Sequence, residues 1–278
     1  MRIVRTIILW ILAIIVLLPL IMTFAASFMD APELLEHIGP VVNNGTGFAA
    51  MPLLPGAPTL RQYVKLLLDT SKFLDMFRQS LLLVVPIVIG QVLVGTPAAW
   101  SFATYRFPFK NGLFMGCVAL MMMPFQVMLV PTFLSLNALK LIDTEWAIIL
   151  PGIFGTFSIF LLRQFFKSVP FELVEAARID SAGELRIFTT IALPLSMPGV
   201  ASLCILTFLD YWNMIEQPMA FLRTQDKWPL SLYLSRIGES NVDLAMSASI
   251  MTLLPTLLLF FYCESYLVRG IQMSGTKE

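Results

Sequence analysis

The sequence predicts an all-α membrane protein with six transmembrane helices. Of its 278 residues, 58% are hydrophobic and only 13% are charged, whereas an ordinary soluble domain carries about 25% charged residues. The mean hydropathy is +0.82. A helix needs about 20 apolar residues to cross the hydrocarbon core of a bilayer. Six stretches reach that length, and they are residues 7–28, 80–103, 113–135, 146–166, 195–215 and 245–267.

The first span follows Arg2 and Arg5 and is longer than the roughly 7–15 apolar residues at the centre of a signal peptide. We therefore expect a retained membrane anchor. Ala25-Ala26-Ser27 faintly resembles a cleavage site, so a signal peptide stays open as the alternative.

The charges of the loops predict the orientation. If the N-terminus is cytoplasmic, the basic segments 106–110 and 163–186 are cytoplasmic as well, and the opposite short loop carries only Lys140. This distribution follows the positive-inside rule. The longer segments 29–79 and 216–244 also hold basic residues, but long loops cross the membrane largely regardless of charge. Both termini are therefore expected in the cytoplasm.

The remaining segments predict loops and kinks. Residues 30–58 are rich in Pro, Gly and Asn and predict a loop, whereas 59–79 alternates apolar and charged residues and predicts amphipathic helices. Prolines within membrane helices are tolerated where neighbouring groups satisfy the freed carbonyls. They predict kinked spans here at Pro86, Pro97, Pro124, Pro131, Pro151 and Pro255.

Composition also argues against several classes of site. Lys+Arg and Asp+Glu both number 18, so no basic excess points to nucleic acid. The three cysteines, Cys117, Cys204 and Cys263, lie in apolar stretches without paired spacing, and His37 is the only histidine. We expect neither a metal site nor a catalytic site. The methionines at 121–123 are interpreted as packing residues, with an adaptable gating surface as the alternative.

Residues 167–198 predict two short helices joined by a turn. Pro170 suits a first helical position, and Glu172 places a carboxylate in the first turn, near the positive end of the helix dipole. Positions at i, i+3, i+4 and i+7 then share one face, and they are Leu173, Ala176, Ala177 and Asp180. The small alanines would let the surface of another protein approach closely.

A second helix is predicted to start at Ser181, because Ser181 and Glu184 have the spacing of a capping box. Glu175 and Arg178 are spaced for a salt bridge. Periodicity alone is equally compatible with an ordinary interfacial hairpin. The chain returns towards the membrane through Ile191, Leu193 and Pro194.

Three parts of this segment resemble the EAA loop of binding-protein-dependent ABC importer permeases: Glu175-Ala176-Ala177, Asp180 and Ile191-Ala192-Leu193-Pro194. Ser181 departs from the glycine usual in that family, and a serine there requires a turn without a positive φ. Similarity to the carbohydrate permeases of the maltose-type G-subunit branch extends over about 59–270. It is carried by Tyr105-Arg106-Phe107-Pro108, Met123-Pro124-Phe125-Gln126-Val127, Asp143-Thr144, 160–166 (Phe-Leu-Leu-Arg-Gln-Phe-Phe), Trp212-Asn213 and Arg269-Gly270.

The resemblance implies a type I ABC importer permease fold with a cytoplasmic EAA coupling loop, in a bacterial or archaeal cytoplasmic membrane. The implied domains are an N-terminal helix with an external loop (1–77), a permease core (78–270) and a cytoplasmic tail (271–278). The implied partners are a second homologous permease, two copies of an ABC ATPase, an extracytoplasmic solute-binding protein and a sugar. Glu175 would be the main polar contact with the ATPase, and the other implied coupling residues are Ala176, Ala177, Asp180, Ser181, Ile191, Leu193 and Pro194.

The absence of a phosphate-binding motif agrees with a non-enzymatic permease. The sequence contains no Gly-x-x-x-x-Gly-Lys-Ser/Thr, so ATP-Mg is expected on a partner and no cofactor on this chain. An ion-coupled carrier or channel working alone is one alternative, although its usual mid-membrane charges are almost missing. A membrane anchor without a transport path is another. Within the leading class, glycerol phosphate stays open as a cargo.

Asp210 is the charged exception within a span, in its outer half. With Trp212 and Asn213 it would line a sugar path, because aromatic faces and amides suit a polyhydroxylated ligand. The alternative, which we favour, is a helix end at the interface with an aromatic belt residue. The resemblance leaves both open, because in the maltose system the sugar contacts are attributed to the other permease subunit.

Overall fold

The computed structural model describes residues 2–42, 52–69, 71–237 and 242–275, and these contain helices but no strand. Side chains are described except at 2–3, 38–42, 237 and 267–275. The helices are α1 (Arg2–Ala26), α2 (Ala31–Val42), α3 (Arg61–Val64), α4 (Ser71–Thr104), α5 (Lys110–Met121), α6 (Phe125–Ala138), α7 (Trp146–Ile153), α8 (Thr156–Phe166), α9 (Phe171–Ile179), α10 (Glu184–Ile187), α11 (Leu193–Leu195), α12 (Met197–Trp212), α13 (Glu216–Phe221), α14 (Leu230–Ile237) and α15 (Val242–Gly275). Two π-helical turns, Lys65–Asp69 and Phe188–Ala192, follow α3 and α10, and a 3₁₀ turn spans Gln225–Lys227.

The predicted all-α membrane fold is confirmed, with four to six candidate spans among the described residues. Four spans are long and apolar enough on their own: Val4–Ala26, Ser71–Thr104, Trp146–Phe166 and Val242–Tyr266. Two bent helix pairs raise the number to as many as six if each pair counts as one span: α5 with α6, bent by 104°, and α10–α11 with α12, bent by 73°. Proline explains the first bend. Pro124 lies in extended backbone, with φ −65° and ψ 143°, immediately before α6, so the helical path stops at Met122.

Some element boundaries differ from the prediction. The segment 30–58, predicted as a loop, contains α2 in its first part. The second predicted span begins at Ser71 instead of residue 80, because the amphipathic stretch before it is continuous with α4. Helix α15 continues to Gly275, so most of the predicted tail 271–278 is helical, and its last three residues lie outside the described part of the chain.

The chain divides into two compact units. The first comprises Met1–Arg78 and Leu230–Pro255. Its small core contains Ala26, Met29 and Leu34, with Val242 and Met246 packed against them. The buried Ser247 hydroxyl donates to the Ser27 carbonyl oxygen at 3.1 Å, which ties α15 to the end of α1.

The second unit comprises Gln79–Pro229 and Thr256–Glu278. Its buried cluster draws on both membrane helices and the predicted hairpin, and it consists of Ala99, Trp100, Leu162, Phe166, Val174, Ile187, Ala192, Val200 and Leu203. Because α9, α10 and the following π turn each contribute a side chain to this cluster, burial of apolar surface fixes the hairpin to α4, α8 and α12.

Helices α4 and α7 approach closely through reciprocal glycines. A Cβ on Gly90 would lie 2.4 Å from the Ile153 side chain, and one on Gly152 would lie 2.9 Å from that of Ile87. Small residues allow such backbone approach between membrane helices. At this contact the Gln91 amide nitrogen donates to the Gly152 carbonyl oxygen at 2.8 Å. The Thr207 hydroxyl of α12 donates to the Gln91 carbonyl oxygen at 3.0 Å, so one buried side chain joins three helices.

Candidate functional site

The hairpin formed by residues 171–195 is anchored on one face and open on the other. Val174, Ile187 and Ala192 are buried in the core cluster. In contrast, the large apolar side chains of Ile179 and Leu185 are 83% and 76% exposed, close to charged residues of the turn. Exposed apolar groups rimmed by polar ones mark surfaces that bind other proteins. Sequence reasoning missed both residues, because their positions lie at the ends of the two helices next to the turn.

The predicted coupling residues fall into two groups. Glu175, Ala176, Asp180, Ser181 and Pro194 are solvent-exposed. The other three, Ala177, Ile191 and Leu193, are partly buried and pack against the core cluster. The exposed group can contact another protein directly, whereas the packed group holds the hairpin in place.

The turn between α9 and α10 corrects two sequence predictions. Ser181 has φ +58°, although a serine there was expected to avoid a positive φ. The amide of Ser181 donates to the Arg178 carbonyl oxygen, and that of Ala182 donates to the Ala177 carbonyl oxygen, both at 3.0 Å. These two bonds form a Schellman motif, which requires a left-handed residue in the position of Ser181. Closing the end of α9 therefore outweighs the backbone preference of serine.

The predicted capping box is also wrong. The N-cap of α10 is Gly183, in extended backbone and without a side-chain cap. Glu184 instead accepts two bonds from the Arg178 guanidinium, at 2.8 Å from Nε and 3.2 Å from Nη2. Arg178 thus pairs across the turn with Glu184, and the predicted salt bridge to Glu175 does not form.

Tyr105 extends this ion pair to α4. Its hydroxyl donates to Glu184 Oε2 at 2.8 Å, and Tyr105 directly follows the last residue of α4. Burial raises the pKa of the Tyr105 hydroxyl, and the bond to Glu184 raises it further. The same carboxylate raises the pKa of Arg178. An exposed ion pair contributes only about 0–1 kcal/mol, so this triad links the end of α4 to α9 and α10 but adds little to the stability that the core cluster provides.

A cavity of about 710 Å³ lies at the C-terminal end of α12. Of the predicted path residues, Asp210 and Asn213 line it, but Trp212 does not. Trp212 is buried and stacks on Phe208 with ring centroids 5.1 Å apart. The lining residues are Phe125, Leu209, Asp210, Tyr211, Asn213, Met214, Ile215, Glu216 and Gln217. Asp210 therefore lies beside an open space near the C-terminal end of α12.

Sequence reasoning missed the polar pair of this cavity. The Gln126 side-chain nitrogen donates to both carboxylate oxygens of Glu216, at 3.0 and 3.1 Å. The two residues lie 90 positions apart, and the bend at Pro124 brings the start of α6 next to α13. Local spacing carries no signal for such a contact.

Asp143 organises the segment that follows α13. Its Oδ1 accepts hydrogen bonds from the amides of Arg223 and Thr224 at 2.9 and 3.0 Å, and its Oδ2 accepts one from the Thr224 hydroxyl at 2.7 Å. Lys227 Nζ lies 3.7 Å from Oδ2. The pKa of Asp143 is lowered to about 2, mainly by the two hydrogen bonds from Thr224. We call this arrangement the Asp143 clasp.

In the described residues, no group of His, Cys, Asp and Glu side chains could hold a metal ion.

Comparison with known proteins identifies the family. Residues 91–263 match the family described as "Binding-protein-dependent transport system inner membrane component". The arabinooligosaccharides transport system permease protein AraQ of Halalkalibacterium halodurans is 30% identical over 269 residues, covering 96% of this chain and 93% of AraQ. The sn-glycerol-3-phosphate transport system permease protein UgpE of Pectobacterium atrosepticum is 31% identical over 266 residues, covering 92% and 90%.

The fold has a solved counterpart. A chain of a bacterial ABC transporter involved in the import of the acidic polysaccharide alginate superposes with a TM-score of 0.78, at 23% identity and 95% coverage of both chains. A second structure, the bacterial alginate ABC transporter in complex with an alginate pentasaccharide-bound periplasmic protein, gives a TM-score of 0.56 at 18% identity, covering 74% of this chain and 81% of the other. At these identities the likeness concerns the fold. The family match covers more than half of the chain and AraQ aligns along almost all of it, so the chain belongs to the family of binding-protein-dependent transport system inner membrane components.

Proposed function

We propose that this chain is the permease subunit of an ABC importer that moves a sugar or oligosaccharide across the cytoplasmic membrane of a bacterium or archaeon. The observation that carries the proposal is the 171–195 hairpin, which is anchored in the core and exposes Ile179 and Leu185 beside Glu175 and Asp180. This surface suits a partner protein that must push on the membrane helices. Family membership supports the same conclusion.

The partners in this proposal are those of a binding-protein-dependent importer. A second homologous permease completes the path, two ATPase copies dock on the hairpins, and a solute-binding protein delivers cargo on the other side. Hydrolysis of ATP-Mg takes place on the ATPase partner, so the chain is not an enzyme and carries no cofactor. The termini and the hairpin face the cytoplasm, as the charges of the short loops predict.

The contacts of the hairpin explain how force reaches the membrane helices. ATPase closure displaces the exposed face of α9, around Glu175, and the hairpin moves as a rigid lever. Buried Val174 and Ile187 transmit this movement to the core cluster of α4, α8 and α12. The triad of Tyr105, Arg178 and Glu184 makes the end of α4 follow the hairpin. At 16 residues, α12 is roughly 24 Å long, and its far end borders the cavity with Asp210 and Asn213.

The class of cargo follows from relatives. The names of AraQ and UgpE assign arabinooligosaccharides and sn-glycerol-3-phosphate to those two proteins. A sugar fits the aromatic and amide groups of the cavity at Tyr211 and Asn213. Glycerol phosphate, which is anionic, is the alternative cargo.

The test is a double substitution on the exposed face, Glu175→Lys with Asp180→Lys. Both side chains are exposed and accept no hydrogen bond from another described side chain, so membrane insertion should persist. Reversed charges should displace the ATPase, and we expect transport-coupled ATP hydrolysis to fall more than tenfold. Asp226→Lys is the matched control, because Asp226 is also exposed but lies in the 3₁₀ turn after α13.

Affinity purification from the native membrane provides the readout, together with mass spectrometry and an ATPase assay. The unsubstituted chain should recover a second permease and an ATPase containing a phosphate-binding loop. Normal coupled hydrolysis in the double variant, or a chain that purifies alone, would refute the proposal and favour an independent carrier.

A further inference from the structure

The cavity at the end of α12 has a lining that is unusual in its charge. Two carboxylates, Asp210 and Glu216, border it, and none of its lining residues in the described part of the chain is a Lys, Arg or His. Its volume of about 710 Å³ lies within the range of small-molecule sites. The remaining lining is aromatic, aliphatic or amide, as at Phe125 and Gln217. The open space and the mixed lining together distinguish this cavity from a cluster of acidic surface residues.

Three polar side chains of the cavity, Asp210, Asn213 and Glu216, offer hydrogen-bond acceptors. The Asn213 side-chain nitrogen already donates to the Leu209 carbonyl oxygen at 2.8 Å, which leaves the Asn213 side-chain oxygen available to accept. Each Glu216 oxygen takes one bond from Gln126 and retains a second lone pair. Within the described residues, no side chain donates to Asp210. A ligand that satisfies this cavity must therefore bring hydrogen-bond donors, such as hydroxyl or ammonium groups.

Gln126 is the positioning residue of this arrangement. It lies directly after the bend at Pro124, and its amide engages both oxygens of Glu216 at once. This contact keeps the Glu216 carboxylate at the border of the cavity. Without it, Glu216 is an exposed side chain at the start of α13 and is free to turn away.

We infer that this cavity contacts the cargo and accepts neutral polyhydroxylated or cationic solutes while rejecting anionic ones. The inference rests on the proposed transport function and narrows its cargo. An anion in the cavity would face two carboxylates without a compensating cation among the described lining residues, and like charges repel each other. The printed names of the relatives include anionic cargoes, sn-glycerol-3-phosphate and alginate, so the cargo of this chain differs from theirs in charge.

The rate of cysteine labelling by charged reagents measures the electrostatic potential in the cavity directly. The three native cysteines are replaced by alanine, and Asn213→Cys introduces a reporter in the complete complex. Trimethylammonium-ethyl and sulfonato-ethyl methanethiosulfonate then label it, with their rates normalised to free cysteine. We expect the cationic reagent to react at least about tenfold faster. Glu216→Gln should reduce this preference at least about threefold, whereas Asp226→Asn should leave it unchanged.

Three polyols of similar size test the binding of cargo-like molecules: sorbitol, N-methylglucamine and gluconate, which are neutral, cationic and anionic. At constant ionic strength, sorbitol and N-methylglucamine should slow labelling of the Asn213→Cys variant by uncharged methyl methanethiosulfonate, and gluconate should not. Glu216→Gln should allow gluconate to protect. The inference would be overturned if gluconate protected as well as sorbitol, or if none of the three polyols protected. It would also be overturned if the normalised labelling rates of the cationic and anionic reagents were about equal. Because labelling needs no ATP turnover, failure here is distinguishable from loss of coupling in the Glu175 and Asp180 experiment.

Discussion

Replacing Gln91 with methionine should destabilise the membrane core. Methionine is similar in length but removes the bond to the Gly152 carbonyl oxygen and the bond from the Thr207 hydroxyl. Hydrogen bonds between side chains of membrane helices average about 0.6 kcal/mol each, with a maximum of about 1.7. Two bonds therefore give a loss of about 1–3 kcal/mol. The upper part of this range applies because Gly152 lies at the end of α7, where carbonyls lack intrahelical donors.

The measurement is thermal unfolding of the purified chain or complex in detergent, with helical circular dichroism as the readout. Thr96→Val is the matched control. Thr96 is buried in the same helix, but its hydroxyl donates only to the Val92 carbonyl oxygen of its own helix at 2.7 Å. Its loss should cost less than about 1 kcal/mol. Equal stability of Gln91→Met and the unsubstituted chain, or equal losses in both variants, would refute the assignment of Gln91 as a link between three helices.

Two further predictions concern the loops. Ser181→Gly should stabilise the hairpin by about 1 kcal/mol, because a left-handed conformation costs non-glycine residues about 1–2 kcal/mol. The measurement is the rate of proteolysis at the turn, which should fall in Ser181→Gly and rise in Ser181→Val. The Asp143 clasp should loosen in acid. Because folding lowers the pKa of Asp143 from 3.8 to about 2, its stabilisation is complete above about pH 4 and is lost as the pH falls through about 2. The protection of the Arg223 and Thr224 amides against hydrogen exchange should therefore fall between about pH 4 and pH 2. In the Asp143→Ala variant these amides should lack this protection at every pH. Unchanged protection at pH 2 would contradict the clasp.

The turn of the hairpin explains why its two apolar side chains, Ile179 and Leu185, are exposed. The Schellman closure ends α9 abruptly, so Ile179 and Leu185 stand on either side of the turn instead of folding back onto the core. The clamp between Arg178 and Glu184 holds this arrangement on its outer side. A surface that is apolar at its tip and acidic along α9, at Glu175 and Asp180, is therefore held in place by contacts within this chain.

The sequence by itself determined the fold class and the place of the hairpin. Span lengths follow from runs of apolar residues, because the thickness of the hydrocarbon core sets the number of residues needed. A proline near a helix start is a local signal, and α9 begins directly after Pro170, which is its N-cap instead of the predicted first helical residue. The EAA resemblance likewise depends on neighbouring residues from Glu175 to Pro194. Each of these features is encoded within a few tens of residues, so one sequence was enough to find them.

Only the tertiary structure decided which side chains meet. Gln91 meets Thr207 across 116 positions, Gln126 meets Glu216 across 90, and Tyr105 meets Glu184 across 79. Such pairs depend on where bent and packed helices cross, and the local spacing of residues does not predict these crossing points. Even the local prediction of a capping box at Ser181 failed, because hydrogen bonds that close α9 imposed a left-handed residue there. Local patterns fix which helices form, whereas the packing of distant helices fixes what their polar side chains can do.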